Sequence, residues 1–200
     1  MWFGWFGFNA GSALAADGTA ALAFFNTQVA TGAAALSWII AEWILQEKPA
    51  TLGAASGAVA GLVAITPAAG FVSPVSAVII GLVAGVPCYP AVPAKSRLLV
   101  TMTHLTWQEY MVFGGIWGAL ATGLFASIAV NPGGANGLFF GNPHQFVIQA
   151  TGVGATMAYS FIGSLIILKI IDVTAGLRVT AEEEVQGLDL TQHSEIGYSL

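Results

Sequence analysis

Long apolar segments fill most of this chain, and short runs with Pro, Gly or charged residues separate them. Apolar helices of about 17 to 25 residues are long enough to cross a lipid bilayer. The pattern therefore predicts an all-α integral membrane protein, a bundle of transmembrane helices. The six segments lie at about residues 1–14, 20–45, 51–66, 71–92, 110–130 and 145–171.

The composition also indicates lipid as the solvent. Charged residues make up 8% of the chain, against about a quarter in a soluble domain. The 25 glycines would weaken soluble helices, but small residues let membrane helices approach closely. In the third segment Gly53, Gly57 and Gly61 recur every four residues. This stripe predicts tight packing against a neighbouring helix.

The basic residues set the expected orientation, because short cytoplasmic loops are enriched in Lys and Arg. The loops at 14–19, 66–74 and 131–144 contain neither residue. We therefore expect a multi-pass protein of the plasma or inner membrane with a cytoplasmic C-terminus. The five basic residues, all expected on the cytoplasmic side, are Lys48, Lys95, Arg97, Lys169 and Arg178.

The end of the chain is expected to form a separate cytoplasmic tail, residues 180–200, after a transmembrane domain at 1–179. Thr180 with Glu183 three residues later predicts a capping box, and Gly187 a helix stop. The first segment reaches polar residues by Asp17, so we expect an N-terminally truncated domain whose first helix lacks its beginning.

Signatures of enzymes are missing from the sequence. We find no nucleotide-binding glycine loop and no pair of carboxylates in an apolar setting, and His104, His144 and His193 are scattered. The single Cys88 does not allow a four-cysteine metal site. The net charge of −5 makes nucleic acid an unsuitable partner. We expect neither catalysis nor a metal or other cofactor.

One face of the first segment mixes aromatic and polar side chains. Trp5, Phe8, Asn9 and Ser12 fall on one side of a helix. Such a face is either a packing surface with a hydrogen-bonding rim or a pore lining. In a pore, an aromatic ring gates, and a hydroxyl near the mouth helps to bind a small cation or hydrogen-bond donor.

Nearly the whole chain resembles the ammonium transporter and Rhesus family. The resemblance implies the C-terminal half, helices six to eleven, of an eleven-helix inverted-repeat transporter fold. The matching stretches are GWFGFNAGSA (4–13), ALAFFNTQVATGAAALSWIIAEW (21–43), GAASGAVAGLVAITPAAGFVSP (53–74), DVTAGLRV (172–179) and EEEVQGLDLTQHSEIGYS (182–199).

The resemblance also implies function. Ammonium or ammonia would be the transported substrate, in nitrogen uptake, with Phe8 as the inner pore gate and Ser12 at the outer recruitment site. A homotrimer in the lipid bilayer and a P-II signalling protein at the cytoplasmic face are the partners it implies. The alternative is a non-conducting fragment, a pseudogene product or a regulatory membrane subunit, because these residues offer only half a pore.

The resemblance breaks at about residues 98–113, just before Gly114. Codons compatible with this stretch, read in a shifted frame, encode Tyr-Asp-Asp-Ser-Leu-Asp-Val-Ala-Gly-Val-His-Gly-Val, which is similar to the family's tenth helix. We therefore predict two compensating frame shifts; the alternative is a divergent loop. Met111 would then stand where the family has its second pore histidine, and its thioether offers no N–H donor.

Overall fold

The computed structural model describes residues 1–98 and 106–195, with side chains described at 1–86 and 111–195. No strand occurs within those described residues. Six longer helices are followed by two short ones in the tail, and a short 3-10 turn, Leu138–Phe140, precedes α6. The helices are α1 (Trp2–Gly11), α2 (Gly18–Gln46), α3 (Thr51–Ile65), α4 (Pro74–Leu98), α5 (Thr106–Phe125), α6 (Pro143–Thr174), α7 (Ala181–Gln186) and α8 (Leu188–Thr191).

Each predicted apolar segment overlaps one of the first six helices, and the all-α prediction is confirmed. Four predicted C-terminal ends miss by three residues or more. Helix α1 stops at Gly11 instead of residue 14 and α5 at Phe125 instead of 130, whereas α4 continues to Leu98 instead of 92 and α6 to Thr174 instead of 171. Helix α5 ends early because the N–H of Ser127 donates to the carbonyl of Phe71 (3.0 Å) in another segment.

Length and composition qualify only α2 and α6, among the described helices, as full membrane spans. Shorter apolar stretches lie at Thr51–Ile65, Pro74–Val86 and Met111–Phe125. A helix that packs inside a bundle does not need to span the bilayer by itself, so the short α3 is compatible with a membrane domain.

Close backbone packing joins α2, α3 and α4. A Cβ added at Gly61 would lie 2.6 Å from Ala34 Cβ and 2.8 Å from the carbonyl oxygen of Ala30. From the other side, a Cβ at Gly81 of α4 would collide with the backbone of Ala30. The predicted tight packing of the α3 stripe is confirmed, since its other two members, Gly53 and Gly57, face Glu42 and Trp38 just as closely.

The turn between α3 and α4 is held by hydrogen bonds from distant segments. Four consecutive carbonyls, at 69–72, each accept one. Asn26 Nδ2 of α2 donates to the first and the fourth, at 2.8 Å each. Asn131 Nδ2 donates to the second at 2.9 Å, and the third accepts from the backbone of Ser127 at 3.0 Å. Asn26 is fully buried, so this turn is part of the core.

Helix α5 packs on α3 and α4. Trp117 Nε1 donates to the carbonyl of Ile80 at 3.0 Å. A Cβ at Gly118 would collide with the backbone of Ala64, and one at Gly114 would lie 3.0 Å from Val63 Cγ1. The beginning of the described α5 side chains is thereby placed beside the C-terminal part of α3.

The chain divides into two compact units, Met1–Val153 and Gly154–Leu200, with the boundary inside α6. None of the α6 residues is buried. Tyr159 is 82% exposed and Phe161 66%. Large apolar side chains of α6 are thus exposed in the part of the chain that the structure describes.

Candidate functional site

Two side-chain hydrogen bonds attach α1 to the rest of the bundle. Trp5 Nε1 donates to Thr66 Oγ1 at 2.9 Å, at the C-terminal end of α3. Asn9 Nδ2 donates to Thr27 Oγ1 of α2 at 3.0 Å. Because Trp5 and Asn9 lie one helical turn apart, both bonds come from the same side of α1.

A cavity of about 490 Å³ opens where α1, α3 and α5 meet. Aromatic, aliphatic and thioether groups supply most of its side chains, and the Thr66 hydroxyl and the indole N–H of Trp5 are its polar groups. Its lining residues are Met1, Gly4, Trp5, Phe8, Val63, Thr66, Pro67, Met111 and Gly115.

Trp5 and Phe8 form an edge-to-face pair in this cavity wall. Their ring centroids are 5.7 Å apart and the rings are inclined by 62°. Phe8 is 59% exposed, so its ring lies on an open side of the described structure. An exposed aromatic ring beside a cavity can restrict what passes it, and its face attracts cations.

The predicted polar members of the α1 face lie elsewhere. Asn9 is 7% exposed and points into the contact with α2. Ser12, at the end of α1, is exposed, and its Oγ donates to the carbonyl of Phe8 at 2.6 Å. The structure thus brings Trp5 and Phe8 together at the cavity, uses Asn9 for packing, and places Ser12 one turn beyond Phe8.

Met111 lies in the cavity wall with Trp5 and Phe8. Its side chain is 45% exposed. The rest of the predicted frame-shifted stretch falls mostly outside the described residues, since 99–105 are not described and the side chains of 106–110 are not either. The frame shift stays a prediction, but Met111, the position predicted to match the family's second pore histidine, borders the cavity.

Titratable side chains are sparse around this site. Among the residues that the structure describes, no three His, Cys, Asp or Glu side chains form a group that could hold a metal ion. His144 and His193 are exposed, and His104 lies outside the described part of the chain. None of the described side chains that line the cavity is a carboxylate, an imidazole or an amine.

The tail forms its own polar cluster. Thr180 caps α7: its hydroxyl accepts from the N–H of Glu183 (3.3 Å), and the Glu183 carboxylate accepts from the N–H of Thr180 (2.9 Å). Helix α7 ends at its C-cap, Gly187. The predicted capping box and stop are confirmed. Gln192 Nε2 donates to Glu183 Oε1 at 3.2 Å, which ties α7 to the residues after α8.

An ion pair completes this cluster. Arg178 Nε and Nη2 donate to the two carboxylate oxygens of Glu184 at 2.7 and 2.8 Å. The hydrogen bond to Glu184 raises the pKa of Arg178 and lowers the pKa of Glu184. The pKa of Glu183 is lowered by the hydrogen bonds from the backbone and side chain of Thr180.

Sequence reasoning missed Thr66 and Thr27. Thr66 follows an apolar run and Thr27 stands between two amide residues, and nothing in the local spacing connects either threonine to α1. The only available signal was the Thr66–Pro67 pair, which marks a turn but not a partner.

Almost the whole chain is similar to known proteins. A model of the Ammonium Transporter Family matches residues 1–198. An ammonium transporter of Bacillus subtilis (strain 168) is 48% identical over 198 residues, which cover 99% of this chain and 49% of that protein. Ammonium transporter Amt1 of Archaeoglobus fulgidus is 46% identical over 199 residues, which cover 100% and 50%.

Solved structures agree with the sequence comparisons. The crystal structure of Saccharomyces cerevisiae Mep2 matches with a TM-score of 0.85 and 33% identity, over 91% of this chain and 42% of that one. The aligned part is the C-terminal half of the full-length relatives. This chain therefore spans about half the length of the proteins that it matches.

Proposed function

Because the chain belongs to the ammonium transporter family, we propose that it forms half of a path by which ammonium or ammonia crosses a membrane. The site is the cavity between α1, α3 and α5, with Phe8 as gate, Trp5 beside it and Ser12 near the outer mouth. The other wall comes from a polypeptide equivalent to the half of the relatives that this chain does not cover.

The hydrogen-bonding inventory of the cavity side chains carries this proposal. The indole N–H of Trp5 donates to Thr66 Oγ1, and the hydroxyl of Thr66 donates to the carbonyl of Leu62 at 2.8 Å. A threonine oxygen has two lone pairs and a thioether sulfur is a weak acceptor, so Thr66 and Met111 offer acceptors. Ammonium brings donors and a positive charge, which the aromatic faces also attract. Among the described side chains that line the cavity, an anion finds neither a free donor nor a cation.

Met111 is the position at which we expect this chain to differ from the family. A sulfur atom accepts hydrogen bonds weakly and donates none, whereas an imidazole does both and carries protons. We infer that residues 98–113 are read in a shifted frame and that the unshifted chain has a histidine at position 111. With Met111 the path holds its substrate less well, which is the basis of the non-conducting alternative.

The membrane location, the orientation, the oligomeric state and the protein partner are part of the same proposal. We place the chain in the plasma or inner membrane with residues 180–200 in the cytoplasm, because the loops at 14–19, 66–74 and 131–144 lack basic residues. We also propose a homotrimer, in which the large exposed side chains of α6 face lipid or another subunit. The tail, folded around Thr180 and Arg178, is the proposed contact for a P-II protein.

Uptake of labelled methylammonium tests the function in cells that lack their own ammonium transporters. The 200-residue chain alone is expected to give no uptake. Joined to the N-terminal half of the B. subtilis relative, with residues 98–113 restored to the other frame, it is expected to conduct. The same hybrid with Met111 retained should take up at least about tenfold less, the effect of losing one well-placed polar group.

The matched control is the hybrid with Met157 changed to histidine, since Met157 lies on α6 and is 52% exposed. This change is expected to leave uptake unaltered. If the restored hybrid reaches the membrane and still transports no methylammonium, the transport proposal is wrong and the non-conducting alternative stands.

A further inference from the structure

We propose that Thr66 and Thr27 are positioning residues that fix the rotation and tilt of α1 and thereby the geometry of Trp5 and Phe8 in the cavity. The proposal rests on the proposed function in one respect only, that Trp5 and Phe8 border the substrate path. Thr66 also lines the cavity, whereas Thr27 is not among the lining residues; in the role proposed here each threonine acts through α1.

The two threonine oxygens are pre-oriented acceptors. Thr66 donates its own hydroxyl hydrogen to the carbonyl of Leu62 at 2.8 Å, and Thr27 donates to the carbonyl of Ala23 at 2.6 Å. Each carbonyl lies four residues back in the same helix, so the hydrogen is held against the helix. The lone pairs are left for an outside donor, and in both cases that donor comes from α1.

The donors from α1 are fixed relative to each other. Trp5 and Asn9 are one turn apart, and Phe8 lies between them in the sequence. One bond ends on α3 and the other on α2. Two bonds to two different helices determine how α1 is rotated, whereas one bond would leave it free to swing about that point.

Other contacts of α1 specify its position less sharply. A Cβ at Gly4, Gly7 or Gly11 would meet nothing within 4 Å, so the glycines of α1 make none of the close backbone contacts that join α2 to α3. Phe6 stacks on Phe24 of α2 at a centroid distance of 4.0 Å. Stacked rings tolerate sliding along their faces, but a hydrogen bond from an indole or amide N–H is directional.

The contact between Trp5 and Phe8 transmits the loss of a threonine hydroxyl to the cavity. Phe8 rests against Trp5, and Trp5 is held by Thr66. Removing the Thr66 hydroxyl leaves the indole N–H without its acceptor, so the indole turns toward another one and its edge no longer supports Phe8. Removing the Thr27 hydroxyl leaves the amide of Asn9 unpaired in a buried contact and tilts α1 from its other end.

The chain offers a matched control for each threonine. Thr122 of α5 and Thr31 of α2 are buried and also donate to the carbonyl four residues back, at 2.8 and 2.5 Å. Neither of these two hydroxyls is bonded to α1 in the described hydrogen bonds. Replacing all four, one at a time, by the isosteric valine therefore separates loss of a helix-internal bond from loss of the link to α1.

The first measurement is the indole N–H resonance of Trp5 by NMR of the full 200-residue chain in detergent micelles, assigned with Trp5→Phe. Thr66→Val is expected to move this resonance to the position of an unbonded or water-bonded indole, and Thr66→Ser to return it. Thr122→Val should leave it in place. An unmoved Trp5 resonance in Thr66→Val would overturn the assignment of Thr66.

The second measurement is the distance between spin labels at Phe3→Cys on α1 and Leu52→Cys on α3, in a Cys88→Ser background. Both label sites are exposed, at 89% and 78%. Thr66→Val and Thr27→Val are expected to broaden or shift the distance distribution, and Thr31→Val and Thr122→Val to reproduce the parent. Equal distributions in all five chains would overturn the proposal.

Uptake by the restored hybrid links positioning to transport. Thr27→Val should lower maximal methylammonium uptake by about tenfold, as expected of misplaced groups, while the half-saturating concentration changes little and serine restores the rate. Thr66→Val should lower maximal uptake at least as much, since it also removes an acceptor from the cavity wall. The NMR and distance results do not depend on uptake. A hybrid that never transports would therefore end the proposed function and leave the positioning of α1 to be decided on its own evidence.

Discussion

Helices α3 and α6 are both apolar, yet they occupy opposite environments within this chain. Nine of the 15 residues of α3 are buried, and none of the 32 residues of α6 is. The α3 sequence, TLGAASGAVAGLVAI, is built from small residues, whereas FIGSLIILKII in α6 carries large ones. Hydropathy does not separate the two; side-chain size does.

The difference has a physical basis in the membrane. Lipid tails are as apolar as a leucine side chain, so helices gain little by hiding apolar surface from lipid. They gain by bringing backbones close enough for many dispersion contacts, which Gly61 and Gly81 permit on the two sides of Ala30. Large side chains on α6 are suited to filling the space around acyl chains or another subunit.

The largest effect is expected from Gly81→Leu. The added side chain would drive into the backbone of Ala30, and overpacking of this kind costs about 3 kcal/mol or more. Unfolding of the detergent-solubilised chain, followed by circular dichroism as denaturant is added, measures the loss.

Gly163→Leu is the control on α6, because a Cβ there meets nothing within 4 Å. It should be neutral or stabilising by up to about 0.8 kcal/mol, since leucine is the better helix former. Equal destabilisation by the two changes would show that α3, α4 and α6 are not packed differently.

A smaller loss of stability is expected when a large side chain is shortened to alanine. Leu62 of α3 is 1% exposed, and Leu62→Ala leaves a cavity that costs about 2 kcal/mol or more. Leu165 of α6 is 51% exposed, so Leu165→Ala should change the free energy of unfolding by less than about 0.5 kcal/mol.

The same denaturant titration measures the free energy of unfolding of both variants. Repeating it on the assembled hybrid tests whether α6 contacts another subunit. A Leu165→Ala cost that appears only in the assembly would locate a subunit contact on α6. A cost in the isolated chain as large as that of Leu62→Ala would contradict the exposure of α6.

The smallest expected effect is the loss of folded structure in the tail at acid pH. The pKa values of Glu183 and Glu184 lie below their ordinary value of 4.5, because both carboxylates accept hydrogen bonds. Their contribution to the folded tail is therefore present above that value and is lost as the pH falls through the lower folded pKa values. Amide NMR signals of residues 181–186 are expected to disperse at pH 7 and collapse in acid.

Helix α3 supplies the contrast, since Thr51–Ile65 contains no ionisable side chain. Its amide signals should not follow the same titration. Glu183→Gln should weaken the tail already at neutral pH, whereas Glu182→Gln removes a charge in the same turn and leaves the capping box in place. A tail that keeps its signals in acid would contradict the role of the two carboxylates.

Local spacing predicted the parts of the fold that depend on local geometry. The glycine stripe of α3 and the Thr180–Glu183 capping box each need only a repeat of three or four residues, and both are confirmed. The end of α5 was predicted wrongly because Ser127 bonds to Phe71, a residue far away in the sequence.

The candidate site, too, could be predicted from the sequence only in part. The aromatic character of the α1 face was evident from Trp5 and Phe8, and both line the cavity. That Asn9 turns to Thr27 and Trp5 to Thr66 depends on which helices pack beside α1, which no one-dimensional pattern contains. The roles of Phe8, Ser12 and Met111 in transport stay predictions.

The turn at residues 66–73 has a consequence for engineering and for sequence change. Connections between helices ordinarily tolerate insertions, but here the carbonyls at 69–72 are each bound by a partner from elsewhere in the chain. Adding a single residue would shift every carbonyl out of register with those donors. A tag or a fluorescent domain is therefore better accepted at 14–17 than here, and this connection should vary less in length than the helices it joins.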